Sequence, residues 1–153
     1  MQAFSQNITT LTSLTCSIID SLNNCDLFLI AECFPLLQEL DLSNPLNCQS
    51  SYPACLDDGV EALSLALIKL RKVNLSGFYM SNQSFFNFLN NCKLLEDVVM
   101  FKYSYDITNA GLASALRDRP TLRSLSISCG NPLHQEYRKL FATAHFIDSL
   151  VFI

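Results

Sequence analysis

The hydrophobic positions of this chain recur in a short pattern, three and then two residues apart, at six places. The clearest copy is Leu37, Leu40 and Leu42. The other copies are Leu11/Leu14/Cys16, Leu70/Val73/Leu75, Leu95/Val98/Met100, Leu122/Leu125/Ile127 and Ile147/Leu150/Phe152. Successive copies begin 26, 33, 25, 27 and 25 residues apart, which is the spacing of solenoid repeats. The pattern predicts short strands near residues 11–16, 37–42, 70–75, 95–100, 122–127 and 147–152.

Helical signals fill the sequence between these strands. They combine a polar opening residue with apolar residues at helical spacing, near residues 27–31, 60–67, 84–89, 108–116 and 134–144. Asp26 is expected to cap the first helix, and Ser81 or Asn82 the third. A strand and a helix in each repeat bury their apolar faces only by stacking on neighbouring repeats. We therefore expect a single α/β domain over residues 1–153. Its predicted form is a right-handed leucine-rich-repeat solenoid, or horseshoe, with about six parallel strands on the concave face and helices on the convex face.

Composition narrows the class of protein. Half of the residues are hydrophobic, which supplies a continuous core, but no apolar run reaches the length of a membrane span. The first residues carry no Lys or Arg, unlike a secretory signal. We expect a protein of the cytoplasm or nucleus with no membrane partner.

Charge is distributed unevenly along the chain. Residues 1–68 contain eight acids and no Lys or Arg, whereas residues 69–153 contain ten bases and six acids. Such a gradient could steer a partner, or it could reflect drift in solvated faces. Nucleic-acid binding is not expected, because the bases alternate with acids instead of forming a stripe.

The chemistry-bearing residues do not suggest an enzyme. Seven cysteines without a C-x-x-C pair predict buried thiols rather than zinc ligands or disulfides in a reducing compartment; a bridge between Cys48 and Cys55 stays open as an alternative. His134 and His145 are too far apart in sequence to stack on one helix face. No nucleophile and base, metal cluster or phosphate loop can be assembled. We expect no catalytic residues, no metal and no cofactor.

Short motifs in the loops resemble a known family. Residues 57–60 and 107–112 look like the I-T-D-x-G-L helix entry of cysteine-containing leucine-rich repeats, and residues 33–37, 91–95 and 118–122 resemble that subtype's C-P-x-L lead into a strand. The chain as a whole most resembles the repeat region of plant F-box/leucine-rich-repeat proteins. That resemblance implies repeats that hold a protein substrate for an SCF-type, cullin-based ubiquitin ligase. The first strand begins at Leu11, so the ligase would be reached only if missing sequence supplied the F-box.

Two alternative functions, from different classes of protein, are therefore expected. The first is a protein-binding module for substrate recognition by an F-box ubiquitin ligase. The alternative is a truncated, uncapped repeat fragment or decoy with no specific partner, because the chain starts and stops almost at strands. A small-molecule receptor is disfavoured, since the inner face carries no convergent basic cluster.

The inner face can be read by rows of equivalent residues. Charges alternate along these rows, which predicts self-paired ladders more than a ligand site. Phe101 stands out against a row of serines, and aromatic residues leave the strands nearby; exposed aromatic residues anchor protein partners. The predicted partner-binding residues are Phe101, Tyr79, Tyr105, Lys72, Asn74, Asp97 and Val99. The alternative for the aromatic residues is that Phe78 and Tyr103 belong to the core.

Overall fold

The computed structural model describes residues 10–17, 22–44, 55–100, 116, 119–127 and 149–152. These residues form six strands and three helices. The strands are β1 (Ser13–Thr15), β2 (Glu39–Asp41), β3 (Lys72–Asn74), β4 (Asp97–Met100), β5 (Ser124–Ile127) and β6 (Ser149–Phe152). The helices are α1 (Asn24–Cys33), α2 (Asp57–Ala66) and α3 (Asn82–Asn91). The helices predicted near 108–116 and 134–144 lie largely outside the described residues.

All strands are parallel, and each pairs with the next strand in chain order. The predicted α/β class with a parallel sheet is confirmed. Each strand lies within one of the six segments predicted from the hydrophobic spacing. The register is set by the middle apolar position of each repeat: Leu14, Leu40, Val73, Val98, Leu125 and Leu150 are successive Cα partners.

The sheet has two different faces. Leu40, Val73, Val98 and Leu125 are at most 3% exposed and belong to one hydrophobic core with the helices; we call these positions the buried face. Successive side chains of a strand point to opposite sides, so the residues that flank them form the open face. The open face consists of Ser13, Thr15, Glu39, Asp41, Lys72, Asn74, Asp97, Val99, Ser124 and Ser126.

Helix α1 begins with a capping box. The side chain of Asn23 accepts a hydrogen bond from the Cys25 backbone N–H at 2.8 Å, and Asp26 accepts one from the Asn23 backbone N–H at 3.0 Å. The prediction that Asp26 caps this helix is therefore wrong by three residues, because Asp26 is the reciprocal partner in the third helical position. Helix α3 is capped by Ser81, which accepts from the Ser84 N–H at 3.2 Å.

Neighbouring helices are linked at their N-termini. The Gly59 N–H in α2 donates to the Asn24 side chain in α1 at 2.9 Å. A Cβ atom at Gly59 would lie only 2.7 Å from Leu27 Cδ1, so glycine permits the close approach of the two helices. Asp57 in turn accepts a hydrogen bond from the Ser81 N–H at 2.7 Å. Burial alone would raise the pKa of Asp57, but hydrogen bonds from Ser81 and Ser84 outweigh it and lower the pKa.

A second link joins the turns that lead from helix to strand. Phe34, Leu67, Cys92 and Arg119 are equivalent residues, each buried and three positions before the first apolar residue of its strand motif. Burial raises the pKa of the Cys92 thiol to about 12, against a smaller opposing effect of Arg119. The Arg119 guanidinium donates to the Cys92 backbone carbonyl at 3.0 Å and to the Asn90 side chain at 3.3 Å. The buried arginine thus replaces an apolar residue by bonding to the preceding repeat.

The described cysteines differ from the prediction. Cys92 is buried, Cys16 and Cys33 are partly buried, and Cys25 and Cys55 are exposed; all five are free thiols. The expectation of buried thiols is wrong for Cys25 and Cys55, which lie at the starts of helices where one side faces water. Cys48 lies outside the described residues. None of the helices in the described part of the chain is both long and apolar enough to cross a membrane.

Candidate functional site on the open face

A depression of about 300 Å³ crosses the open face from β1 to β4. It contains Lys72, Asn74, Asp97 and Val99, four of the seven residues predicted from the sequence to bind a partner. The remaining lining residues are Ser13, Leu14, Thr15, Glu39, Leu40, Asp41 and Val73. The strand register brings the open-face side chains of this set together from four separate repeats.

The register explains this convergence. Glu39, Lys72 and Asp97 are successive Cα partners, and so are Asp41, Asn74 and Val99. We call the first set the outer row and the second the inner row. Because paired strands lie about 4.8 Å apart, the depression spans roughly 14 Å across three strand-to-strand steps.

The outer row contains a short polar ladder. Lys72 Nζ lies 3.0 Å from Glu39 Oε1, and Ser13 Oγ donates to Glu39 Oε2 at 3.3 Å. The hydrogen bond from Lys72 lowers the pKa of Glu39, and the same contact raises the pKa of Lys72. Both side chains are about half exposed, at 53% and 48%, so solvent screening leaves the pair with little effect on stability. The predicted self-pairing of charges is present here.

The inner row is more firmly oriented. Asp41 accepts hydrogen bonds from the Ser43 backbone N–H at 2.9 Å and from Asn74 Nδ2 at 3.3 Å. Asn74 Oδ1 accepts from the Ser76 N–H at 3.2 Å and from Ser76 Oγ at 2.7 Å. These bonds fix the Asn74 amide and the Asp41 carboxylate relative to the strands. Val99 continues the row with an apolar surface.

Asp97 completes the charge distribution of the depression. No residue in the described part of the chain donates a hydrogen bond to its carboxylate, and its charge contributes to the raised pKa of Lys72. The depression therefore holds three carboxylates, Glu39, Asp41 and Asp97, against the single base Lys72. Its formal charge is −2, because three acids oppose one base. Next to it, Arg71 and Glu96 form a direct ion pair that adds no net charge.

The aromatic residues predicted to bind a partner are not all placed at this depression. Tyr79 is 37% exposed but does not line it; its backbone carbonyl instead accepts from the Leu56 N–H at 3.0 Å. Phe78 is buried, as the alternative for that residue proposed. Phe101 and Tyr105 lie outside the described residues, so the aromatic patch stays a prediction.

Two acids that line the depression are absent from the predicted site. Glu39 and Asp41 belong to the same rows as Lys72 and Asn74, and the repeat spacing alone places them on the neighbouring strand. The sequence signal for Glu39 and Asp41 is therefore their place in these rows, because neither is an exposed aromatic residue. Within the described residues, no group of three or more His, Cys, Asp or Glu side chains could hold a metal ion.

The sequence matches no protein-family model, and no curated protein is significantly similar to it. Function is therefore inferred from the residues and geometry of the chain. The depression offers hydrogen-bond acceptors, one oriented amide, one cation and an apolar side chain, all presented by one parallel sheet. Such a surface is suited to recognition of another molecule.

Proposed function

We propose that this protein is a non-enzymatic protein-binding module and that the open face is its recognition surface. The observation that carries the proposal is the depression across β1–β4, which parallel register builds from side chains of four repeats. Stacked repeats create extended concave surfaces that such proteins use for binding. The interface would combine an oriented polar row with the apolar surface of Val99.

We further propose that the fold is a right-handed leucine-rich-repeat solenoid with the open face on its concave side. Support comes from the strand order, which follows the chain, and from the packing of α1 on α2 and of α2 on α3. In such solenoids each repeat contacts only its neighbours. The links through Gly59, Asp57 and Arg119 each join adjacent repeats in this way.

The resemblance to plant F-box/leucine-rich-repeat proteins suggests a biological setting. Under this proposal the module holds a protein substrate, in the cytoplasm or nucleus, for an SCF-type ubiquitin ligase. Gly59 and Cys92 belong to the motifs that carry the resemblance, and both are buried. They support the repeat architecture, while the open face would select the substrate. Contact with the ligase requires an F-box joined to the repeats.

Matched substitutions test the recognition surface. Val99→Arg places a long charged side chain in the depression, whereas Ile68→Arg makes the same kind of change at a 59% exposed position that does not line it. Proteins captured from an extract of the source tissue would be compared by mass spectrometry. We expect a set of proteins retained by wild type and Ile68→Arg and lost, by at least about tenfold, with Val99→Arg.

Equal capture by all three proteins would contradict a recognition role for the open face and would favour the fragment or decoy alternative. The ligase setting has a separate test. The chain fused to an F-box segment would be combined with purified ligase components and a captured partner. Ubiquitin transfer that Val99→Arg abolishes and Ile68→Arg preserves is the expected result; transfer unaffected by Val99→Arg would contradict it.

A further inference from the structure

We propose that the depression selects an extended basic segment of its protein partner, with two Lys or Arg side chains paired to Asp41 and Asp97. This inference rests on the proposed function, because it uses the same surface. It adds the chemistry of the partner. The supporting features are the charge of the depression, the distance between the two carboxylates and the position of Lys72.

The charge of the depression is negative and only partly compensated internally. Lys72 is held by Glu39 at 3.0 Å, so the outer row neutralises one of the three acids. Asp41 receives its hydrogen bonds from the neutral donors Ser43 and Asn74, and these leave its charge in place. Asp97 has no hydrogen-bond donor among the described residues. Two carboxylates therefore remain for a cationic partner, which charge complementarity would favour.

The positions of Asp41 and Asp97 define a spacing. The two residues lie two strands apart, because Asp41 pairs with Asn74 and Asn74 pairs with Val99. They are also offset by two residues along the strands. Two strand-to-strand steps span roughly 10 Å, and two residues along a strand span roughly 7 Å. The two Cα atoms therefore lie about 12 Å apart. Side chains four residues apart in an extended segment share one face and are separated by about 13 Å. The partner segment is thus expected to carry basic residues at this spacing.

Lys72 predicts the direction in which affinity for a basic segment changes when a charge in the depression is removed. Its charge lies between β2 and β4, so it opposes a basic segment and favours an acidic one. Removing it releases Glu39 and makes the depression more negative. Binding of a basic segment should therefore strengthen when Lys72 is neutralised and weaken when either aspartate is neutralised.

The experiment begins with a phage-displayed library of random peptides, each long enough to cross four strands, selected on the immobilised full chain. A synthetic consensus peptide is then measured by fluorescence anisotropy. The variants are Asp41→Asn, Asp97→Asn, Lys72→Gln and Glu61→Gln. Glu61→Gln removes one negative charge at an exposed position of α2 outside the depression and is the matched control. Asp97→Asn keeps the test valid if Asp41→Asn disturbs the inner row.

We expect a consensus with two basic residues four apart. Each aspartate substitution should weaken its binding roughly two- to fivefold, the range of an exposed ion pair. Lys72→Gln should strengthen binding by a similar factor, Glu61→Gln should leave it unchanged, and added salt should weaken it.

The two proposals fail in different ways. An acidic or uncharged consensus whose binding is lost with Val99→Arg would overturn the basic-segment inference and leave the recognition surface intact. Basic peptides that bind the Asp41→Asn and Asp97→Asn variants as tightly as they bind wild type would also overturn the inference. No selected peptide, or binding insensitive to every substitution in the depression, would overturn both proposals.

Discussion

Val98 and Val99 are neighbours in β4 and have identical side chains, yet they lie on opposite faces of the sheet. Val98 is 0% exposed within the core, and Val99 lines the depression on the open face. A buried middle residue beside open-face neighbours recurs with Leu40 and Asp41 in β2, and also in β3 and β5. Alternate positions of one short strand therefore differ in role: one stabilises the fold, and under the proposed function the other presents chemistry to a partner.

The two faces also differ in how strictly the sequence is constrained. In the repeats that contain β2 to β5, every position of the three-then-two motif is buried. Their side chains are all aliphatic apart from Met100, as close packing requires. The open face carries acids, amides, lysine, serine and valine in the same rows. Substitutions on the open face should therefore cost less stability than substitutions on the buried face.

Truncation of a β4 side chain should destabilise the fold only on the buried face. Val98→Ala removes two buried methyl groups and leaves a cavity, so we expect it to lower the free energy of unfolding by about 2 kcal/mol. Val99→Ala makes the same change on the open face and should stay within about 0.5 kcal/mol of wild type. Urea denaturation of both variants measures the difference. Similar losses in the two variants would show that the faces are not distinct.

The buried thiol of Cys92 should make the stability of the chain depend on pH in the alkaline range. The pKa of Cys92 is about 12 in the folded chain and 9.0 for an unperturbed thiol. The stability contributed by the buried, neutral Cys92 thiol is therefore fully present below about pH 9 and is lost as pH rises towards 12. At about pH 10 this loss is on the order of 1 kcal/mol. We expect Cys92→Ala to reduce the stability change between about pH 8 and 10. The matched control is Cys25→Ala, which removes an exposed thiol and should leave that change as in wild type; an identical pH response in Cys92→Ala would contradict the burial argument.

The contact between Glu39 and Lys72 on the open face should have the smallest effect on stability. Hydrogen bonding to Lys72 lowers the pKa of Glu39, so the contribution of this pair is present above about pH 4.5 and is lost as pH falls below it. Glu39→Gln should change thermal stability at neutral pH far less than Val98→Ala does, because both partners are exposed. A melting series in acid and at neutral pH provides the check. A loss as large as that of Val98→Ala would mean that the open face also holds the fold.

Much of the sheet is predictable from sequence because its spacing is a local property. The Leu-x-x-Leu-x-Leu pattern places β2 within residues 37–42, and aligning the copies of the pattern sets Glu39 beside Lys72, as the strand register does. The pairing of those charges follows from this alignment. The membership of Lys72, Asn74, Asp97 and Val99 in one surface follows in the same way.

Other features depend on contacts between repeats that a local pattern does not record. The partner of Asp57 is the backbone of Ser81 in the next repeat. Arg119 is buried because a carbonyl of the preceding repeat and the Asn90 amide satisfy its guanidinium. Tyr79 is predicted as a partner contact because it leaves its strand at the same edge as Phe101; it follows the turn at Gly77, where φ is +91°, and does not line the depression. Long-range hydrogen bonds and turns decide these cases.

The most direct test of separate roles for the two faces is NMR of valine methyl groups in the full chain, titrated with the peptide or partner recovered by selection. The resonances of Val99 report the open face, and those of Val98 and Val60 report the buried core. We predict that the Val99 methyl signals shift with added ligand while those of Val98 and Val60 stay in place. Shifts at Val98 and Val60 with an unchanged Val99 would contradict recognition on the open face.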